Sequence, residues 1–256
     1  MAELIIKLYS NALKRSVSFD MSIPDPINAD DEYADRPMKT LFLLHGYNSS
    51  ATNWVPQHLA EKYKFAVVMP TGNNSFWLDG VATGHNYGTF LCEELVNFIR
   101  RTFHLALTPD DTYIMGVGMG GFGAIHSALM YSDTFGKAAG ISSAMLIHDI
   151  AHMAPGTDNG TANYPFYYAI FGDTETVEES DNNPENIAKW LKDEGGRLPE
   201  IYMTCGTEDT LLENNRQFHE YLDLINFPHK YMESPGGHDD FFRDQYTVKF
   251  IDMMMK

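Results

Sequence analysis

The 256-residue sequence predicts an α/β fold: a mostly parallel, eight-stranded sheet flanked by helices. Three observations lead there. From about residue 39 onward, short apolar runs rich in β-branched and aromatic residues alternate with helix-compatible stretches. Two further β-like runs stand at the N-terminus with no helix between them. A glycine-rich corner, Gly116-Val117-Gly118-Met119-Gly120-Gly121, joins one apolar run to a helical stretch, as a sharp strand-to-helix turn requires.

The elements follow in order. Segments 3–9 and 14–23 are expected to pair as an antiparallel edge. Strands near 39–45, 65–70, 112–117, 137–142, 200–205 and 229–233 then alternate with helical stretches, which calls for parallel pairing. In the helix 88–103, Leu91, Leu95, Phe98 and Ile99 share a face, with Glu93 and Glu94 early and Arg100 and Arg101 late, as the helix dipole favours. A second helix is capped by Asn183, has Pro184 in its first turn and stops at Gly195-Gly196. A third, about 211–225, uses Leu211, Phe218, Leu222 and Ile225. The stretch 144–182 breaks the alternation and is rich in Gly, Asn, Asp and aromatics, including Tyr164-Pro165-Phe166-Tyr167-Tyr168. Repeats and low-complexity linkers are absent, so residues 1–256 read as one domain, with 144–182 as a small cap insertion.

The corner carries the chemistry. Thr112 to Met115 enters it and Phe122 to Tyr131 leaves it as a helix, the arrangement of a nucleophile elbow of the G-x-S-x-G kind. Gly118 occupies the nucleophile position, so the reactive oxygen is missing while the flanking glycines remain. A serine hydrolase also needs a base, an acid that orients it, and oxyanion donors. The strand 200–205 runs into Gly206-Thr207-Glu208-Asp209, which presents Asp209; the strand 229–233 ends in Ser234-Pro235-Gly236-Gly237-His238, which presents His238. Gly118, Asp209, His238 is the chain order this chemistry uses on an α/β sheet. Glu208, Asp239 and Asp240 are competing carboxylates. His45-Gly46-Tyr47 ends the first parallel strand, so the backbone N–H groups of Tyr47 and Met119 are the expected oxyanion donors. Ser142 and Ser143 have no elbow around them, and Ser234 shares a loop with His238, a poor geometry for in-line attack, so none replaces the missing serine.

These residues resemble the esterase D branch of the α/β-hydrolases, close to small bacterial carboxylesterases of the tributyrin-esterase type. That group shades into acetyl-xylan and feruloyl esterases and S-formylglutathione hydrolases. The matching segments are Leu43-Leu44-His45-Gly46, Val67 to Pro70, Ser75-Phe76-Trp77, Glu93-Glu94-Leu95, Gly116 to Gly121, Cys205 to Asp209 and Gly236 to Asp239, spread over residues 39–245. The family elbow reads Gly-x-Ser-Met-Gly-Gly, so the departure here is at Gly118 alone. The resemblance implies an α/β-hydrolase fold, hydrolysis of short-chain acyl esters (acetyl or feruloyl among them) by a Ser-His-Asp triad, and no cofactor. Trp77, Tyr87 and Phe122 are the expected substrate-binding aromatics. Either the chain is a natural pseudoenzyme that binds a small ester or acid, or it is an esterase whose serine has been changed to glycine. Retention of Asp209, His238, Met119 and the glycines favours the second.

Composition bounds the rest. Hydrophobic content of 44% supports a large core. A formal charge of −17 disfavours nucleic acid or anionic membrane as partners and fits a neutral small-molecule ester. No apolar run reaches the roughly 18 residues of a membrane span. The N-terminus lacks a long apolar segment, and two cysteines, Cys92 and Cys205, give no disulfide framework, so a cytoplasmic location is expected. Homo-oligomerisation stays open. His148 and His152 are spaced i, i+4 in His-Asp-Ile-Ala-His, but Asp replaces the metalloprotease Glu, a third ligand is missing and Pro155-Gly156 follows, so no metal site is expected.

Overall fold

A computed structural model describes residues 1–256. Strands β1 (Ala2–Ser10) and β2 (Arg15–Ile23) form the N-terminal hairpin. They are followed by β3 (Lys39–Leu44), β4 (Phe65–Pro70), β5 (Thr112–Val117), β6 (Lys137–Ile141), β7 (Glu200–Gly206) and β8 (His229–Ser234). All eight join one sheet in the order β1-β2-β4-β3-β5-β6-β7-β8. β2 runs antiparallel to β4, and every pairing from β4 to β8 is parallel. This is the α/β-hydrolase architecture expected from the sequence.

The central strands are covered on both faces, which is why their sequences read as continuous apolar runs. Side chains nonetheless alternate: Leu41, Leu43, Val67 and Met115 enter one core, while Phe42, Leu44, Val68 and Ile114 enter the other. The longer helices are α1 (Gln57–Lys62), α2 (Val96–Phe103), α3 (Met119–Met130), α4 (Tyr164–Phe171), α5 (Pro184–Glu194), α6 (Leu212–Leu224) and α7 (Asp240–Met255). α1 and α7 pack on the first face through Leu59, Tyr246, Phe250 and Met254; α2, α3, α5 and α6 pack on the second through Ile99, Ile125, Leu191 and Leu222.

Two local differences from the sequence reading stand out. The helix expected over 88–103 is not uniform: residues Phe90–Leu95 form a π-helical stretch between Tyr87–Thr89 and α2. Its Glu94 carboxylate accepts the N–H groups of Asn11 and Ala12, tying it to the β1–β2 turn. The C-terminal α7 was not foreseen, although Phe242, Tyr246, Phe250 and Met254 recur every fourth residue and are all buried. Cys92 and Cys205 are buried free thiols.

What positions the site is the reversal of winding direction in the middle of the sheet. β3 lies between β4 and β5, so the loops after β3 and β5 leave neighbouring strand ends and open a crevice there. The strand-to-helix corner after β5 packs with almost no clearance. A Cβ on Gly116 would lie 2.2 Å from the Gly120 carbonyl oxygen, and one on Gly120 would lie 2.1 Å from that of Leu44. Backbone atoms cannot yield as a flexible side chain can. Gly120→Ala should therefore cost at least about 1–3 kcal/mol, read as a lower urea midpoint; an unchanged midpoint would contradict this packing.

Candidate active site

Four strand ends supply the site: Tyr47 follows β3, Gly118 follows β5, Asp209 follows β7 and His238 follows β8. Gly118 adopts φ 55°, ψ −117°, which is neither strand nor helix and is strained for any residue with a side chain. Hydrogen bonds pin it there. Its N–H donates to Ile141 O at 3.0 Å, and its carbonyl accepts the N–H groups of Phe122 and Ala144, each at 3.0 Å. A Cβ at this position would lie 3.3 Å from His238 Nε2 and 3.4 Å from Cε1, with no other group nearby. A side chain at 118 would therefore face the imidazole.

The other ring nitrogen of His238 donates from Nδ1 to Asp209 Oδ2 at 3.1 Å. Asp209 is buried and accepts the Leu211 N–H at 2.9 Å as well. Burial alone would raise the Asp209 pKa, but the His238 hydrogen bond, the nearby Ser142 hydroxyl and the Leu211 N–H outweigh it, and the net shift is downward. His238 is raised above its ordinary 6.5, first by the hydrogen bond to Asp209 and against the opposing effect of burial. The sequence left three rival carboxylates. Asp239 caps α7 by accepting the Phe242 N–H at 2.9 Å, Asp240 pairs with Arg243 at 2.6 Å, and Glu208 is exposed; Asp209 alone bonds His238.

Met119 is the first residue of α3, so its N–H has no partner within the helix. The Tyr47 N–H likewise donates to no protein group. Both residues border one cavity of about 580 Å³, together with Gly118 and His238. Its apolar wall comes from Trp54, Phe76, Leu146, Phe166, Tyr167 and Leu211. Phe166 stands edge-on to Tyr47, with ring centroids 5.7 Å apart.

The sequence matches the family described as "Putative esterase" over residues 10–256. The chain belongs to this esterase family. It is 33% identical over 265 aligned residues to the acetyl esterase of Caldicellulosiruptor saccharolyticus, an alignment spanning 100% of this chain and 99% of that protein. Two solved structures from Staphylococcus aureus are also similar. The fluorophosphonate-binding serine hydrolase FphF superposes with a TM-score of 0.84 at 26% identity, covering 100% of this chain and 98% of that one. The S-formylglutathione hydrolase FrmB gives 0.83 at 26% identity, covering 100% and 99%. The family is one of carboxylic ester hydrolases.

In this esterase the expected aromatic binders lie elsewhere. Trp77 and Phe122 are fully buried and do not reach the cavity. Trp77 packs edge-on against His45 at 5.2 Å, and Phe122 packs against Phe76 and Phe171. Both are core residues, because a large ring beside a tight corner gains more by filling space than by facing solvent. Tyr87 borders a separate crevice of about 170 Å³, where its hydroxyl accepts from the Arg15 guanidinium at 2.8 Å. The wall residues that sequence reasoning missed, Trp54, Phe76 and Leu211, carry no distinguishing local pattern. Phe166 and Tyr167 do: they fall in the aromatic run of the 144–182 stretch, which together with Ala144, Leu146 and Thr161 borders the cavity. Ser142 and Ser143 are buried and do not border it.

His148 and His152 are each held by carboxylates, and they share Glu178, which His152 Nε2 approaches to 3.8 Å. His148 meets Glu178 at 2.6 Å and Glu185 at 3.1 Å, while His152 meets Glu175 at 3.0 Å. His45, at the base of the oxyanion loop, donates from Nδ1 to Gly46 O at 2.8 Å and accepts the Gly72 N–H at Nε2 at 2.9 Å. Burial lowers its pKa, so the ring is a neutral strut between two loops.

The Asp209–His238 pair fixes the sign of a pH effect. The stability contributed by the raised His238 is complete below pH 6.5 and is lost as pH rises through its folded value. That contributed by the lowered Asp209 is complete above 3.8 and is lost as pH falls through its folded value. Asp209→Asn removes the main upward influence on His238 and leaves burial, which outweighs the remaining Asp239 charge, so the His238 pKa should fall below 6.5. NMR titration of the ring protons measures this; an unshifted value would mean that Asp209 does not set the charge state of His238.

Proposed function

We propose that the chain is the nucleophile-less form of a serine carboxylesterase for short-chain acyl esters, of the esterase D, tributyrin-esterase type. The observation that carries this is the geometry at Gly118: an elbow backbone with φ 55°, ψ −117°, whose missing Cβ would point at His238 Nε2 from 3.3 Å. The reading treats residues 1–256 as one domain with 144–182 as its cap. Descent from the same family as an acetyl esterase supports small acyl groups. A cavity of about 580 Å³ walled by aromatic rings also has room for a feruloyl group.

In the Gly118→Ser form, Asp209 holds His238 with its proton on Nδ1 and its lone pair on Nε2. Nε2 then takes the serine proton as the oxygen attacks the ester carbonyl. The Tyr47 and Met119 N–H groups meet the oxyanion, and His238 returns the proton to the leaving alcohol. Water, deprotonated by the same nitrogen, releases the acid. Without the serine oxygen no acyl-enzyme can form. The donors and the cavity remain, and such remnants sustain roughly 10³ to 10⁴ over the uncatalysed rate in other triad knockouts.

A second reading, a binding protein that never hydrolyses its ligand, draws support from the same backbone. Glycine adopts this conformation freely, whereas another residue carries about 1–3 kcal/mol of strain. The two readings part on one comparison. Gly118→Ser should raise hydrolysis of p-nitrophenyl acetate and butyrate by about 10⁴ to 10⁶ and lower the denaturation midpoint. The recovered rate should climb with pH through a value above 6.5, because only neutral His238 accepts the proton. A folded Gly118→Ser protein with no gain would sink the esterase proposal and leave the binding reading.

A further inference from the structure

Far from the cavity, at the amino-terminal end of β8, three metal-ligating side chains gather. His219 and Asp223 lie one turn apart in the last part of α6, and His229 opens β8. One ligand atom from each lies within 4.8 Å of the other two. His219 Nδ1 and His229 Nε2 are 2.7 Å apart, while Asp223 carboxylate oxygens stand 3.6 Å from His219 Nε2 and 3.9 Å from His229 Nε2.

Hydrogen bonding fixes which nitrogen of His229 faces this cluster. His229 Nδ1 is 2.8 Å from the Phe227 carbonyl, which can only accept, so the proton of a neutral His229 sits on Nδ1. The Nε2 lone pair of His229 therefore points at His219 and Asp223. An ion seated between the rings would have the two facing nitrogens and the Asp223 carboxylate within reach. The His229 side chain is only 3% exposed, so its Nε2 has little access to bulk water.

We propose that His219, Asp223 and His229 bind a transition-metal dication of the zinc type. Two imidazoles and one carboxylate form a donor set that suits zinc, with water completing a tetrahedron. The outer N–H of His229 is already held by a backbone carbonyl, the support that ligating imidazoles usually have. Ligand nitrogens about 2.0–2.1 Å from one ion stand roughly 3.3 Å apart in a tetrahedron, so the 2.7 Å contact must open slightly. His219 is 30% exposed and packs by one face on Tyr231, with ring centroids 4.6 Å apart, which leaves it room to shift. The ion would clamp the end of α6 to β8, the sheet's edge strand.

Equilibrium dialysis of the full chain against zinc chloride, with bound metal counted directly, tests this. His148→Gln/His152→Gln serves as background, so that the surface imidazoles on the 144–182 stretch do not contribute. One equivalent should remain in that background. His219→Gln should lose it, and Asp223→Asn should weaken it about tenfold or more; both positions are partly exposed, so neither change threatens folding. Zinc should also shift the ring NMR signals of His219 and His229 while leaving His238 unchanged. Absence of binding in the background protein, or equal binding after His219→Gln, overturns the proposal, as does an unshifted His219 ring signal in the presence of zinc.

Discussion

The structure depends on one steric constraint: backbone meets backbone at the end of β5 with no room for a Cβ. Gly116 lies against the Gly120 carbonyl, and Gly120 lies against that of Leu44 on the neighbouring strand. Because β3 and β5 are adjacent and parallel, closing this gap brings the loop after one strand against the helix after the other. Tyr47 and Met119 then border the same cavity. The corner's conformation is held by hydrogen bonds through Gly118 itself, to Ile141, Phe122 and Ala144. Backbone hydrogen bonds alone thus hold the corner's shape.

The second organising interaction is electrostatic. Asp209 is a buried carboxylate, tolerable because a backbone N–H and an imidazole N–H both donate to it. The same contact orients His238 on a glycine-flanked loop that would otherwise let the ring swing. The acid thus serves geometry and charge state together, while the rest of the molecule carries a large net negative charge that gives neither.

Much of this was legible in the sequence. Strand alternation is a consequence of burial on two faces, and runs such as Leu41 to Leu44 announce it. Gly118, Asp209 and His238 were legible because each sits where a strand stops, a place set by local sequence. The pocket wall was not, since Trp54, Phe76 and Leu211 are brought together by tertiary packing from loops far apart in the chain. Trp77 and Phe122 were misplaced for the same reason: an aromatic near the elbow can face the core or the crevice, and only packing decides. α7 is a different case, for its every-fourth-residue apolar pattern was present in the sequence. The His219–Asp223–His229 grouping joins a helix end to a strand start across a turn, and no short motif records that.

The two thiols have a practical consequence. Cys92 and Cys205 are both pushed up to about 12 by burial, so almost no thiolate exists at neutral pH. Neither is in a position to meet maleimides or iodoacetamide in the folded state. A cysteine introduced on the exposed face of α4, for instance at Tyr168, would then be the sole site of attachment for a fluorophore or spin label. Motion of the segment beside the cavity could be followed during ligand entry without first removing the native cysteines.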